Sequence, residues 1–134
     1  ASGVVAYQAS QAACEAAGRR MTLFVEINLA GEAAKSGVAP DDAPRLVERA
    51  NALSRVAVCG LMAIPPFDPD PDRVRPYFRK LRELRDAVQV RTGTPLPELS
   101  MGMSHDFEAA IAEGATWIRV GTALFGAREK GSRP

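Results

Sequence analysis

Two apolar runs set the first constraint on the fold. Residues 21–28, MTLFVEIN, and residues 56–64, VAVCGLMAI, are apolar at successive positions rather than at every second one. Such strands suit neither face to water and are expected inside a covered sheet. Between them lies a helical stretch, 40–53, which places Leu46, Val47, Ala50 and Leu53 on one side. A buried strand, a helix and a second buried strand in succession imply parallel strands joined by right-handed crossovers.

The same alternation runs through the rest of the chain. Residues 2–17 carry Val4, Val5, Ala9, Ala12, Ala13 and Ala16 at helical spacing, and Gly18 is placed to stop them. After the loop LAGEAAKSG, Pro40 stands at an early helix position, with Pro44 close behind. Pro65 and Pro66 end the second strand, and FDPDPD reads as a loop. A long amphipathic helix is expected over 75–90, with Val74, Tyr77, Phe78, Leu81, Leu84 and Val88 as its core stripe and arginines and acids opposite. A turn-rich link, 92–97, leads into residues 98–128, which read as strand, turn, short helix, strand, turn, followed by a polar tail. The order α-β-α-β-α-β-α-β over residues 1–134 describes one α/β domain: about four βα units, half of a (β/α)8 TIM barrel, or else a small open α/β sheet. A complete barrel needs about 250 residues.

Bulk properties narrow the function classes. The net charge is +1 with no polybasic run, which disfavours a nucleic-acid partner. No apolar run approaches the ~20 residues that span a bilayer, and residues 1–20 lack the basic and apolar regions of a signal peptide. Cys14 and Cys59 have no metal-ligand spacing and read as reduced packing residues of a cytoplasmic protein. Walker-type, nucleophile-elbow and metal motifs do not occur. Glu32, Glu98, Asp106 and Glu108 form no persuasive carboxylate pair, and Asp106 and Glu108 read as negative charge at a helix start.

The chemistry concentrates in the two turns of residues 98–128. Gly102, Met103 and Ser104 form the first and Gly121 and Thr122 the second, each where a strand hands over to a helix. Backbone N–H groups exposed at such corners suit a phosphate, and tandem corners near the end of a β/α chain match the phosphate site of TIM barrels. Ser104 reads as a helix cap, a phosphate contact, or both. Arg119 interrupts the apolar run Trp117 to Val120, where an unpaired charge is costly. His105, the single histidine, is expected to be partly exposed in the first helical turn.

The segments FVEINLAGEAAKSGV, GLMAIPP, LSMGMSHDFEAAIAEGAT and IRVGTALFGAR, in this order, resemble the YggS/PROSC family of pyridoxal 5′-phosphate (PLP) homeostasis proteins, whose barrel is similar to the alanine racemase N-terminal domain. The resemblance covers residues 21–128 and implies the second half of the barrel, roughly strands five to eight. It implies PLP as the cofactor, with Gly102, Met103 and Ser104 and then Gly121 and Thr122 at the phosphate and Arg119 facing the pyridine nitrogen. An arginine there keeps that nitrogen unprotonated and weakens the ring as an electron sink. Met62 and Ile64 end the strand beneath the ring, and Asn28 and Lys35 lie on the same rim. The family's Schiff-base lysine belongs to the first strand of the complete barrel, which this chain lacks. The implied function is PLP binding and homeostasis without established turnover, with apo PLP-dependent enzymes as partners. The alternatives are an amino-acid racemase-like fragment, which would need an opposed tyrosine that neither Tyr7 nor Tyr77 supplies, and a half-barrel acting only by self-association through its open edges.

Overall fold

The computed structural model of the chain describes residues 2–31 and 36–129, so Glu32 and Lys35 lie outside the described residues. Its four strands are β1 (Met21–Glu26), β2 (Val56–Met62), β3 (Glu98–Met103) and β4 (Trp117–Arg119). All pairings are parallel and the order across the sheet is β1-β2-β3-β4. Each strand therefore lies beside its predecessor, as in a barrel wall. An open doubly wound sheet would instead reverse direction at a switch point.

The helices follow local signals. α1 (Ser2–Ala17) stops where Gly18 takes φ 64°, and the Gly18 and Arg19 N–H groups return to Glu15 O and Cys14 O. The stretch expected as one helix over 40–53 divides: Pro40–Asp42 is a 3-10 turn, and α2 is Ala43–Asn51 with Pro44 in its first turn. α3 (Pro71–Thr92) begins four residues before the expected start. Asp70 caps it by accepting from the Asp72 N–H, Pro71 sits at a position that needs no donor, and Gly93 ends it at φ 68°. α4 (Phe107–Ala112) and α5 (Thr122–Phe125) are short. No described helix is long and apolar enough to cross a membrane.

The core forms where the strands meet α2 and α3. Val25, Leu61, Leu99 and Met101 pack with Leu46 and Val47 of α2 and with Val74, Phe78, Leu81 and Val88 of α3, all buried. The predicted stripe of α3 holds, although Tyr77 and Leu84 are only half-buried. Gly60 sits opposite Glu98 in the β2–β3 register, so close that a Cβ there would overlap the Glu98 carbonyl. Cys14 is buried and Cys59 half-buried, both free thiols. Cys59 is the extra residue of a bulge, because Leu23 pairs with Val58 and Phe24 with Gly60.

The two sheet edges differ. On β1, the Tyr7 hydroxyl donates to Phe24 O at 2.8 Å. Burial, with Cys59 nearby, pushes that phenol up to about 12, so it remains a neutral donor. Val38 continues the cover: its N–H donates to Glu26 O and its carbonyl accepts from the Asn28 N–H, both at 2.9 Å. No hydrogen bond of this kind covers the outer side of β4 among the described residues.

α3 and α4 are joined by one carboxylate. Glu113, just past the end of α4, is 3% exposed. It receives Arg75 Nε at 2.7 Å and Arg79 Nη2 at 3.2 Å on Oε1, and Arg82 Nη1 at 3.0 Å on Oε2. Arg82 also donates to the Glu113 carbonyl at 3.2 Å, which satisfies an end group of the helix. The Arg75 hydrogen bond is the largest influence holding this carboxyl below its ordinary range; burial opposes it, and Arg79 and Arg82 reinforce it. The pKa is lower folded than unfolded, so the stabilisation is present above the ordinary value of about 4.3 and is lost as pH falls through the folded value. Glu113→Gln is therefore expected to lower the thermal midpoint at pH 7, with the gap to wild type closing below about pH 4. Melting curves from pH 7 to 3 check this, and a gap independent of pH would count against the ion-pair account.

Candidate functional site

Because the strands are parallel, their carboxyl ends share one rim. Asn28, Met62, Ile64, Gly102, Met103, Ser104, Arg119, Gly121 and Thr122 all belong to that rim or to the turns above it. β3 runs two residues further than the sequence suggests, so Gly102 and Met103 close the strand and the turn itself is 104–106. Gly102 adopts φ 101°, and a Cβ there would lie 2.7 Å from Ala110 Cβ. Its missing side chain admits α4. Gly121 is different: nothing lies within 4 Å of a built Cβ and its φ is −118°. The fold itself does not demand glycine there.

One side chain ties the two turns together. Ser104 Oγ accepts from the Gly121 N–H at 3.0 Å and from the Ala123 N–H at 3.1 Å. With both N–H groups aimed at its lone pairs, the hydroxyl keeps a single unused function, its own O–H donor. The expectation that Ser104 caps the following helix is not met, since Asp106 occupies the N-cap of α4. α5 is only four residues long, so the donors offered at the second turn come from local backbone groups more than from a helix dipole.

Asp106 is buried at 5% exposure. Its carboxylate makes no cap bond to α4. Oδ1 accepts from the Met103 N–H at 2.7 Å, and Oδ2 lies 3.2 Å from His105 Nε2. The Asp106 N–H in turn donates to Met103 O at 3.1 Å. The sequence reading of Asp106 as simple helix-start charge missed this clasp; an aspartate three residues after the last strand residue was the available signal. His105 is partly exposed, as expected, but it lies in the turn before α4 rather than in a first helical turn, and its ring lies 4.8 Å from that of Phe67, tilted by 53°.

Arg119 turns inward under the rim. Its Nη2 donates to Ala63 O at 2.9 Å, two strands away. Its Nε is buried with no hydrogen-bond partner, the one buried side-chain atom so placed among the described residues. Burial lowers the Arg119 pKa, and the carboxylates of Glu26 and Asp106 oppose that shift. The guanidinium remains a cation with unspent donors. Arg119 and Ser104 follow neighbouring strands, β4 and β3, at the same carboxyl-end rim, one with an orphaned donor and the other with an unused O–H.

The other expected residues sit around this pair. Asn28 and Met62 are half-buried, and Ile64 is 52% exposed beyond the end of β2. A cleft of about 390 Å³ opens beside Ser104 and His105, between the starts of α3 and α4. It includes neither Arg119 nor Gly121 and reads as a gap between helices, with the chemistry on the rim. Lys80 is the one lysine among the described residues; it lies on α3 with its ammonium 5.9 Å over the Tyr77 ring.

Known proteins share this sequence pattern and this fold. The family model described as "Alanine racemase, N-terminal domain" matches residues 3–129. The pyridoxal phosphate homeostasis protein of Aquifex aeolicus is 55% identical over 107 residues, covering 80% of this chain and 47% of that protein. That of Pseudomonas aeruginosa is 48% identical over 114 residues, covering 84% and 47%. The solved structure of PipY from Synechococcus elongatus with PLP bound superposes with TM-score 0.78 at 35% identity, covering 87% of this chain and 54% of PipY. The chain thus spans about half the length of the curated relatives it matches.

Proposed function

The chain belongs to the alanine racemase N-terminal domain family, on the YggS/PROSC side of it, and from that premise we propose that it binds pyridoxal 5′-phosphate as part of a PLP homeostasis function. The observation that carries the reading is the convergence of both turns on Ser104 Oγ, within 3.1 Å. In this reading the Ser104 hydroxyl and the backbone at Gly121 and Thr122 hold the phosphate, with Gly102 and Met103 fixing the first turn. Arg119 directs a donor at the pyridine nitrogen, while Met62, Ile64 and Asn28 border the ring. When bound, PLP supplies an electrophilic aldehyde. A guanidinium held near the pyridine nitrogen disfavours its protonation, which fits storage and release of the cofactor better than carbanion chemistry.

Binding by this chain alone is non-covalent. Lys80 lies on the outer helix α3, and Lys35 and Lys130 fall outside the described residues. Titration with PLP, followed through the fluorescence of Trp117 on β4, is expected to saturate at one equivalent, and borohydride treatment is expected to leave no stoichiometric lysine adduct. A specific adduct on Lys35 would overturn the non-covalent account, and a flat titration would overturn the site. Delivery to apo PLP-dependent enzymes, which suits a homeostasis function, and residence in the cytoplasm, which suits the two free thiols, are parts of the same proposal. Self-association is a further part, supported by the bare outer side of β4 and by the exposure of Trp117, Leu124 and Phe125.

A further inference from the structure

The buried carboxylate of Asp106 is committed entirely to the turn that carries Ser104, and we infer that Asp106 is a positioning residue for anion binding. The inference rests on the phosphate reading of Ser104 and adds a residue to it. Removing a carboxylate from water is costly unless its oxygens are matched. Here Oδ1 takes the Met103 N–H and Oδ2 lies 3.2 Å from His105 Nε2, and neither partner is in α4. A helix cap would spend the acid on the N–H groups of α4, and this one does not. Together with the Asp106 N–H to Met103 O bond, the carboxylate closes residues 103–106 into a loop bonded in both directions. Ser104 lies inside that loop. Its hydroxyl can reach Gly121 and Ala123 only if the loop keeps its shape.

The charge of Asp106 favours the cationic form of Arg119 but would oppose an anion bound at the same rim. A carboxylate so close to a bound phosphate would weaken it by repulsion. What Asp106 provides must therefore be geometric: a short acceptor at the Met103 N–H. That distinguishes acceptor from charge in a direct way. Asp106→Asn retains an acceptor oxygen and removes the charge; Asp106→Ala removes both.

The test has two readouts on the ligand-free and titrated protein. In the first, the amide resonances of Gly121 and Ala123 are followed by NMR without ligand. Asp106→Ala is expected to move both in the direction that Ser104→Ala moves them, and Asp106→Asn to leave them close to wild type. In the second, PLP is titrated into each variant. Asp106→Ala is expected to weaken binding by about 10- to 100-fold, as loss of the Ser104 donor does, and to cost little more when added to Ser104→Ala, because the two act in one chain of contacts. Asp106→Asn is expected to bind at least as well as wild type. Should Asp106→Ala fail to fold, Asp106→Glu keeps the charge but displaces the oxygen, and is expected to reproduce the amide shifts. Unmoved Gly121 and Ala123 amides, or additive losses in the double variant, would overturn the inference. Moved amides in a protein that takes up no PLP would leave Asp106 as the residue that shapes the Ser104 turn, and would overturn its part in anion binding together with the phosphate reading.

Discussion

Gly60→Ala is expected to destabilise the domain by at least the ~1–3 kcal/mol of core overpacking. That is a large part of the ~5–15 kcal/mol that holds a domain together. A methyl at this position would overlap the Glu98 carbonyl of the neighbouring strand. The obstacle is backbone, which has no rotamer to change, so relief requires β2 and β3 to separate where they are hydrogen-bonded. Urea denaturation measures the effect. Gly121→Ala is the control: with nothing within 4 Å of its Cβ and a negative φ, it is expected to unfold at the same urea concentration as wild type. A loss below ~1 kcal/mol at Gly60 would mean that the two strands can part more easily than their register implies.

Ser104→Ala is expected to reduce PLP affinity by about 10- to 100-fold, the usual range for a hydrogen bond to a charged group. Two consequences combine. The ligand loses the O–H donor, and the Gly121 and Ala123 N–H groups lose the acceptor that orders them. Ser104→Thr keeps the hydroxyl and is expected to recover most of the affinity. Titrations belong near pH 8, where a phosphate monoester with a second pKa near 6 is fully ionised. Equal affinity in wild type and Ser104→Ala would place the anion elsewhere.

β1 and β2 could be read from the chain because each is a mostly apolar run with a glycine or proline signal after it, whereas β3 and β4 were marked by the turns that follow them. Their parallel direction followed from the intervening helices, while the choice between a barrel wall and an open sheet needed the strand order itself. The start of α3 was harder, since FDPDPD looks like a polar loop until Asp70 and Pro71 are taken as cap and first helical residue. The two turns could be placed by composition and by resemblance, but their union could not. Ser104 meets Gly121 and Ala123 across 17 and 19 residues, and no local pattern encodes that contact. The same holds for Glu113, which reads as one more acid in a helical segment until Arg75, Arg79 and Arg82 are found converging on it from α3. Arg119 was conspicuous as a charge in an apolar strand; that it would reach the Ala63 carbonyl depends on the spacing of three strands.

The unequal borders of the sheet limit how copies of this chain can assemble. Tyr7 and Val38 occupy hydrogen-bonding positions along β1, whereas among the described residues none does so along the outer side of β4. A head-to-tail polymer needs both borders of every copy, β4 of one against β1 of the next. With β1 occupied, contact is confined to β4 against β4, which a two-fold axis satisfies once and then exhausts. Crowding this chain should therefore yield discrete pairs rather than filaments.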